Sequence, residues 1–106
     1  MVVQKDEVWL ILLEPTLGTE MNKTRPCVII SPNIPNKYKD NVVIVPLTST
    51  IRNFPSRVDC KFKHKNGQIV IDQIRTVDKI RLVKKLGKID EETSKKVYEM
   101  IKIYFK

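Results

Sequence analysis

Three charged side chains lie close together in one polar segment near the N-terminus: Glu20, Lys23 and Arg25. Proline follows Arg25, and a residue that precedes proline is pushed towards extended backbone, while proline itself cannot donate to a sheet ladder. We therefore expect Arg25 at the mouth of a strand, with its guanidinium free to bind a ligand. A guanidinium can bind phosphate oxygens through two parallel hydrogen bonds. The same position is equally consistent with an arginine that is only solvated.

Two apolar runs flank this polar segment and must position it. Residues 8–13 are almost continuously apolar, which predicts a strand that is covered on both faces. Residues 26–31 predict a second strand, which ends where prolines and asparagines allow at most a short helical turn. A loop held between two core strands is where functional side chains concentrate.

A third apolar run supplies hydroxyl groups. Residues 42–47 predict a strand, and the cluster Thr48-Ser49-Thr50 follows it directly. Pro46 predicts that the end of this strand is an edge, a bulge or an exit from the sheet. If the second and third strands pair antiparallel, the start of one lies beside the end of the other. Arg25 and Thr48 would then lie at the same end of the sheet.

The second half of the chain predicts further antiparallel strands and a helix. Residues 57–62 alternate between polar and apolar, as a half-exposed strand does, and Asn66-Gly67 is the signal for a hairpin turn within residues 63–67. Strands are expected at 68–77 and 81–89. Asp90 is then the expected N-cap of a C-terminal helix, with Val97, Met100, Ile101 and Tyr104 on its apolar face. The pattern predicts an α+β or small-barrel fold.

Composition limits the class of protein. A chain of 106 residues forms one domain, here 1–106, and its formal charge of +8 favours nucleic acid as a partner, ahead of an anionic membrane. Cys27, Cys60 and the single histidine His64 are too few for a structural zinc site, so neither a metal nor another cofactor is expected. Charged residues 5–7 interrupt any N-terminal apolar segment, so we expect a cytoplasmic protein without a membrane span.

Three ordered blocks of sequence resemble the MazF/PemK family of toxins from bacterial and archaeal toxin–antitoxin pairs. The first begins at Trp9 and continues through Pro15-Thr16-x-Gly18-Thr19-Glu20 to Thr24-Arg25-Pro26-Cys27-Val28-Ile29-Ile30-Ser31; the others are Val45-Pro46-Leu47-Thr48-Ser49 and Asp72-Gln73-Ile74-Arg75-Thr76-Val77-Asp78-Lys79-x-Arg81-Leu82. The resemblance covers nearly the whole chain. One departure is Asp6-Glu7, which stands where the family usually has Gly-Asp.

The resemblance implies an SH3-like antiparallel β-barrel with a C-terminal α-helix, assembled as a homodimer. It implies sequence-specific, metal-independent cleavage of single-stranded RNA, leaving 2′,3′-cyclic phosphate and 5′-hydroxyl ends. A cognate antitoxin with a flexible acidic segment is the implied protein partner. By their motif positions, the implied catalytic residues are Arg25, Thr48 and Glu20, and the implied RNA-binding residues are Thr19, Lys23, Ser49 and Gln73.

The chemistry of RNA is compatible with this set because the 2′-hydroxyl provides the nucleophile. The protein must stabilise charge on the phosphate oxygens and move protons, and Arg25 suits the first task better than that of a general base. Glu20 is the nearby candidate base, although a salt bridge to Arg25 or Lys23 explains it equally well. His64 lies in a lysine-rich hairpin tip, where a catalytic role is not favoured.

Several alternatives stay open on sequence alone. Lys61, Lys63 and Lys65 alternate along one predicted strand face, either to follow a phosphate backbone or to keep a sheet soluble. A gyrase-poisoning toxin shares the general fold, but its activity depends on a tail containing tryptophan, and this chain ends at 103–106 without one. A non-catalytic nucleic-acid-binding barrel would keep the positive charge without needing Arg25 and Thr48 together.

Overall fold

Seven strands and two α-helices make up the part of the chain that the computed structural model describes, residues 1–13 and 24–106. Short 3-10 turns at Ile71–Gln73 and Lys79–Arg81 follow the fifth and sixth strands. In chain order the elements are β1 (Glu7–Leu12), β2 (Thr24–Ile29), α1 (Asn33–Tyr38), β3 (Asn41–Thr48), β4 (Arg57–Phe62), β5 (Lys65–Val70), β6 (Arg75–Asp78), β7 (Leu82–Lys88) and α2 (Glu91–Tyr104).

The strands form one antiparallel sheet in the order β4-β5-β3-β2-β1-β7, and β6 pairs with β3 beside this path. The sheet is an open half-barrel, and α2 packs against β4 and the first 3-10 turn. The predicted α+β fold, a small antiparallel barrel with a C-terminal helix, is confirmed. Neither helix of the described residues is long and apolar enough to cross a membrane.

Apolar side chains cover both faces of the central strands, as the continuous run in β1 predicts. Val8 belongs to a cluster that packs under α2, whereas Trp9 and Ile11 belong to a second cluster on the other face. Because successive side chains of a strand point to opposite faces, one strand contributes to both clusters. The prediction that β1 is buried on both sides is therefore confirmed.

Asp6 and Glu7, which stand where the family usually has Gly-Asp, shape the turn before β1. Asp6 has a φ of 73°, the left-handed region that glycine adopts most easily, and its carboxylate accepts a hydrogen bond from the Ser94 hydroxyl at 3.0 Å. The buried Glu7 carboxylate accepts from the backbone N–H of Gln4 at 2.8 Å and from the Trp9 indole at 3.1 Å. Trp9 is thus a core residue, tied to the turn by Glu7.

The predicted hairpin within residues 63–67 forms, but the position of its turn and the extent of the next strand differ from the prediction. The hairpin turn is Lys63-His64, with φ of 50° and 67°, and Phe62 pairs with Lys65 across it, which is the geometry of a type I′ turn. Asn66-Gly67 lies inside β5 instead. The predicted strand 68–77 is also broken, because the chain leaves β5 at Val70, makes a 3-10 turn and returns as β6 beside β3.

Pro46 lies inside a central strand rather than at its end. The β6 ladder covers Asn41 to Ile44 of β3, and the β5 ladder begins at Leu47, so Pro46 falls where the neighbour on one side changes. The missing N–H of proline is tolerated at such a gap between two ladders. The edge, bulge or exit predicted at the end of this strand is instead a change of neighbouring strand inside the sheet, and β3 continues to Thr48.

Helix α2 begins at its predicted N-cap, whereas α1 is longer than the turn predicted after β2. After β2, a helix of six residues replaces the single turn expected there, and the buried Asn36 amide holds it by donating to the Ser31 carbonyl at 2.8 Å. Asp90 caps α2 as predicted, accepting from the Thr93 N–H at 2.7 Å. Val97 is fully buried on the apolar face, but Tyr104 is about half exposed at the end of the helix.

Candidate active site

The register of β2 and β3 brings the predicted cation and hydroxyl together. Cys27 pairs with Pro46 and Ile29 with Ile44 in an antiparallel ladder, as the predicted arrangement required. Continuing this register by two residues sets Arg25 opposite Thr48. Arg25 is exposed at the second position of β2, and Thr48 is the half-exposed last residue of β3. Both side chains border the same groove.

The groove has a strongly basic lining. Its volume is about 1220 Å³, above the roughly 300–1,000 Å³ of most pockets for small molecules. No Asp or Glu occurs among its described lining residues, whereas five cationic side chains do. The cations are Arg25, Arg57, Lys63, Lys65 and Arg75. An open, cationic groove of this size suits a segment of an extended polyanion.

The Thr48 hydroxyl is held in a defined orientation. Its oxygen accepts a hydrogen bond from the backbone N–H of Thr50 at 3.1 Å. Within the described part of the chain this hydroxyl only accepts, so its hydrogen is available to donate to a bound phosphate oxygen. Gly67 lies directly against the same residue, because a Cβ at position 67 would stand 2.7 Å from the Thr48 carbonyl oxygen.

The pKa of the Cys27 thiol reflects the positive charge near the groove. Burial raises the pKa of its thiol to about 12, although the positive charges of Arg25 and Arg75 act in the opposite direction. Two guanidiniums therefore lie close enough to influence one buried thiol. The Cys27 thiol also donates a weak hydrogen bond, 3.5 Å long, to the carbonyl oxygen of Arg25. It is a buried core side chain and stays protonated at neutral pH.

The other predicted site residues divide into two groups. Ser49 and Gln73 are exposed and border the groove beside Arg25 and Thr48. The remaining three lie outside the described residues: Glu20, Thr19 and Lys23. In the described residues, the groove lining includes Lys63 and Lys65 but neither Lys61 nor His64. Lys61 lies on β4, Lys63 in the turn and Lys65 on β5, so the three do not share one strand face.

Sequence reasoning missed Arg75 and Arg57, which line the groove, and the buried Gln68, which does not. Arg75 lies two residues after Gln73 in a block that resembles the family, and this position could have marked it. Arg57 opens a strand with clear alternation, but nothing in that pattern places it in a groove. Gln68 is buried in β5 and forms four hydrogen bonds, which depend on contacts distant in sequence.

Potential metal ligands are scattered in the described ranges 1–13 and 24–106. No three side chains of His, Cys, Asp or Glu come together there as a metal site would require. The charges available at the described groove are those of arginine and lysine.

Comparison with known proteins agrees with this geometry. A family model described as PemK-like, MazF-like toxin of type II toxin-antitoxin system matches residues 4–105. The chain belongs to this family. Endoribonuclease EndoA of Bacillus subtilis strain 168 is 30% identical over 109 residues, which cover 97% of this chain and 94% of EndoA.

Solved structures of the family have the same fold. A mycobacterial endoribonuclease in complex with its cognate antitoxin is 26% identical, with a TM-score of 0.80 over 97% of this chain and 94% of that one. A MazE–MazF crystal structure from Deinococcus radiodurans reaches a TM-score of 0.85 at 20% identity, covering 99% and 96% of the two chains. The toxin fold of this family is thus found over nearly the whole chain.

Proposed function

We propose that this MazF/PemK-family toxin is an endoribonuclease that cleaves single-stranded RNA at specific sequences without a metal ion. The observation that carries the proposal is that Arg25 and Thr48 both line one basic groove, just beyond the β2–β3 ladder that ends at Cys27 and Pro46. The endoribonuclease activity in the names of EndoA and of the mycobacterial relative supports the same class of reaction. A non-catalytic binding barrel would not require this pairing.

The reaction is an internal transfer at phosphorus. The 2′-oxygen attacks the adjacent phosphorus, the bond from phosphorus to the 5′-oxygen breaks, and the products are a 2′,3′-cyclic phosphate and a 5′-hydroxyl. One proton leaves the 2′-hydroxyl, and one is delivered to the departing 5′-oxygen. Because the nucleophile belongs to the substrate, the protein needs only to align it, stabilise charge and move these two protons.

Arg25 is the proposed electrostatic catalyst. Its guanidinium binds two phosphate oxygens at once and keeps its charge at any working pH. Thr48 donates its free hydroxyl hydrogen to a phosphate oxygen beside it. Glu20 is the proposed base for the 2′-hydroxyl, and Arg25 is the candidate donor to the 5′-oxygen. Thr19, Lys23, Ser49 and Gln73 are proposed to bind the RNA on either side of the cleaved bond.

Substitution of Arg25 tests this assignment. Arg25→Lys keeps the charge but loses the planar fork, so it should fail nearly as badly as Arg25→Ala, with single-turnover cleavage roughly 10²–10³-fold slower. Thr48→Ala should show a smaller loss. Lys102→Ala is a matched control, since it removes an exposed positive charge on α2, away from the groove.

The assay uses a long single-stranded RNA in EDTA, with the cut ends sequenced and their chemistry determined. Binding is measured separately on a 2′-deoxy strand, which lacks the nucleophile and cannot be cut. Arg25→Lys cleaving at the wild-type rate would refute the catalytic role, and so would a defect found entirely in binding. Cleavage that requires added magnesium would refute metal independence, and equal cleavage of DNA would refute the use of the 2′-hydroxyl.

The proposed assembly is a homodimer that a cognate antitoxin neutralises. Large apolar side chains stay exposed at the end of α2, among them Ile103, Tyr104 and Phe105, and a symmetric contact would cover such a surface. Relatives solved together with MazE or a cognate antitoxin support the protein partner. A flexible acidic segment suits the basic groove. Light scattering at micromolar concentration should give twice the monomer mass; a monomer would refute the dimer.

A further inference from the structure

A buried glutamine on β5 has every hydrogen-bonding position filled. Gln68 is only 4% exposed, and its amide oxygen accepts from the backbone N–H of Arg52 at 3.0 Å and from the Arg57 guanidinium at 3.2 Å. Its amide nitrogen donates to the Arg52 carbonyl at 3.1 Å and to the Asp59 carboxylate at 2.9 Å. These are two acceptor and two donor bonds, the full capacity of the side chain.

These bonds hold the segment that follows Thr48. Residues 49–56 connect β3 to β4 without forming a strand. Gln68 bonds both backbone groups of Arg52, as a neighbouring strand would. A second connection runs through Arg57, whose Nη1 donates to Gln68 and also to the Thr50 carbonyl at 3.1 Å. The exposed segment is therefore fixed at two points by one buried side chain.

The network reaches the proposed catalytic hydroxyl in one further step. Thr50 receives a hydrogen bond from Arg57 through its carbonyl and donates one from its N–H to the Thr48 oxygen at 3.1 Å. The β3–β5 ladder, in which Thr48 pairs with Gln68, already fixes the Thr48 main chain. The side-chain network adds the location of the Thr50 N–H, and with it the direction in which the Thr48 hydroxyl hydrogen can point.

We propose that Gln68 is a positioning residue for RNA cleavage, which orients the Thr48 hydroxyl through Arg57 and the main chain of residues 50–52. The inference rests on the proposed function, since it takes Thr48 to contact the reacting phosphate. Gln68 itself touches no substrate. A side chain that only stabilised the fold would change unfolding without selectively changing the rate of cleavage by folded protein.

Gln68→Leu is the primary test because leucine is of similar size and removes all four hydrogen bonds. The expected result is a folded protein that binds the uncleavable 2′-deoxy strand as the wild type does. Its single-turnover rate should fall about 10-fold or more, because small displacements of a positioned group slow a reaction strongly. Ser94→Ala is the matched control, since it removes another buried hydrogen bond, that of the Ser94 hydroxyl to Asp6 at 3.0 Å, on α2.

A compensating pair of substitutions distinguishes a positioning role from a general loss of stability. It also provides a test if Gln68→Leu does not fold. Gln68→Glu keeps the acceptor for the Arg52 N–H and for Arg57 but sets a carboxylate oxygen against both the Asp59 carboxylate and the Arg52 carbonyl. Adding Asp59→Asn removes the like-charge pair and restores that one contact with the donor and acceptor exchanged, while the Arg52 carbonyl stays without its donor. Cleavage should fall in Gln68→Glu and recover in part, at least severalfold, in the double variant. No recovery would overturn the inference.

The decisive measurement combines Gln68→Leu with Thr48→Ala. If Gln68 acts through the Thr48 hydroxyl, the second substitution should slow cleavage no further once that hydroxyl is gone. Multiplying defects would overturn the inference, as would a Gln68→Leu rate within twofold of the wild type. Normal cleavage by Thr48→Ala would instead refute the proposed role of Thr48. A slow Thr48→Ala with a normal Gln68→Leu would refute the positioning role alone.

Discussion

The space around Gly67, beside the Thr48 carbonyl, allows a prediction of definite size. In Gly67→Ala the new methyl carbon would stand 2.7 Å from the Thr48 carbonyl oxygen, whereas ordinary contacts begin at 3.4 Å. The obstacle is main chain, which cannot rotate away as a side chain can, so β3 and β5 must separate by roughly 0.7 Å. The φ of Gly67 is not positive, so the contact alone decides the outcome.

The expected loss of stability follows from that overlap. Overpacking costs about 1–3 kcal/mol, and the smaller entropy of the unfolded alanine chain returns about 0.4–1 kcal/mol. At the midpoints of these ranges, Gly67→Ala should lower the free energy of unfolding by about 1.3 kcal/mol. Cleavage should slow about 10-fold, because the displaced residue carries the proposed catalytic hydroxyl.

Urea unfolding and single-turnover cleavage at a temperature where the variant is folded measure the two effects. Val97→Ala is the matched control: it removes part of a fully buried side chain on α2, so it should lose stability while folded protein cleaves normally. Wild-type stability in Gly67→Ala would refute the steric argument. A destabilised Gly67→Ala that still cleaves at the wild-type rate would refute the link from this contact to Thr48.

Three further predictions concern buried or strained groups. Burial opposes ionisation of Glu7, but its ion pair with Lys85 at 2.6 Å and its hydrogen bonds outweigh this and lower the pKa of the carboxyl. The ionised carboxylate therefore stabilises the fold above about pH 4.5, and this stabilisation disappears as the pH falls through the pKa of the folded state. Glu7→Gln should lower the free energy of unfolding by roughly 1–3 kcal/mol at pH 7. It should also reduce the loss of that free energy with acidification, measured by urea unfolding at several pH values; an unchanged pH dependence would contradict this. Cys27, with its pKa raised to about 12 by burial, should be alkylated at pH 8 only in urea, and peptide mapping that finds native labelling would disprove it. Asp6→Ala should cost about 1–3 kcal/mol through the lost hydrogen bond from Ser94, whereas Asp6→Gly loses the same bond but relieves the positive φ and should cost less; equal losses would refute the strain.

The broad arrangement of the site could be predicted because it depends on local signals. A continuous apolar run makes a strand with two buried faces, and an antiparallel pair joins the start of one strand to the end of the next. Those two rules were enough to bring Arg25 and Thr48 together. The N-cap at Asp90 was equally local, since it needs only its own carboxylate and the following turn.

What could not be predicted depends on contacts between distant segments. Asn66-Gly67 has the stronger turn signal, but only glycine leaves room for the Thr48 carbonyl beside position 67. Gly67 therefore lies within β5, and the turn forms at Lys63-His64. Gln68 resembles an ordinary polar strand residue until residues 50–59 fold over it. Its partners become visible only in the folded chain.

The charged side chains in the described part of the groove lining are all cationic, which affects how RNA and an inhibitor would share the groove. Five basic side chains that each neutralise a phosphate displace the condensed counterions of a single strand, which gives a slope of roughly −3.5 for log affinity against log salt. A fourfold rise in ionic strength would then weaken binding roughly 10²-fold. Salt would also screen the attraction between an acidic peptide and these basic side chains. The ionic strength would therefore influence whether RNA or the peptide occupies the groove.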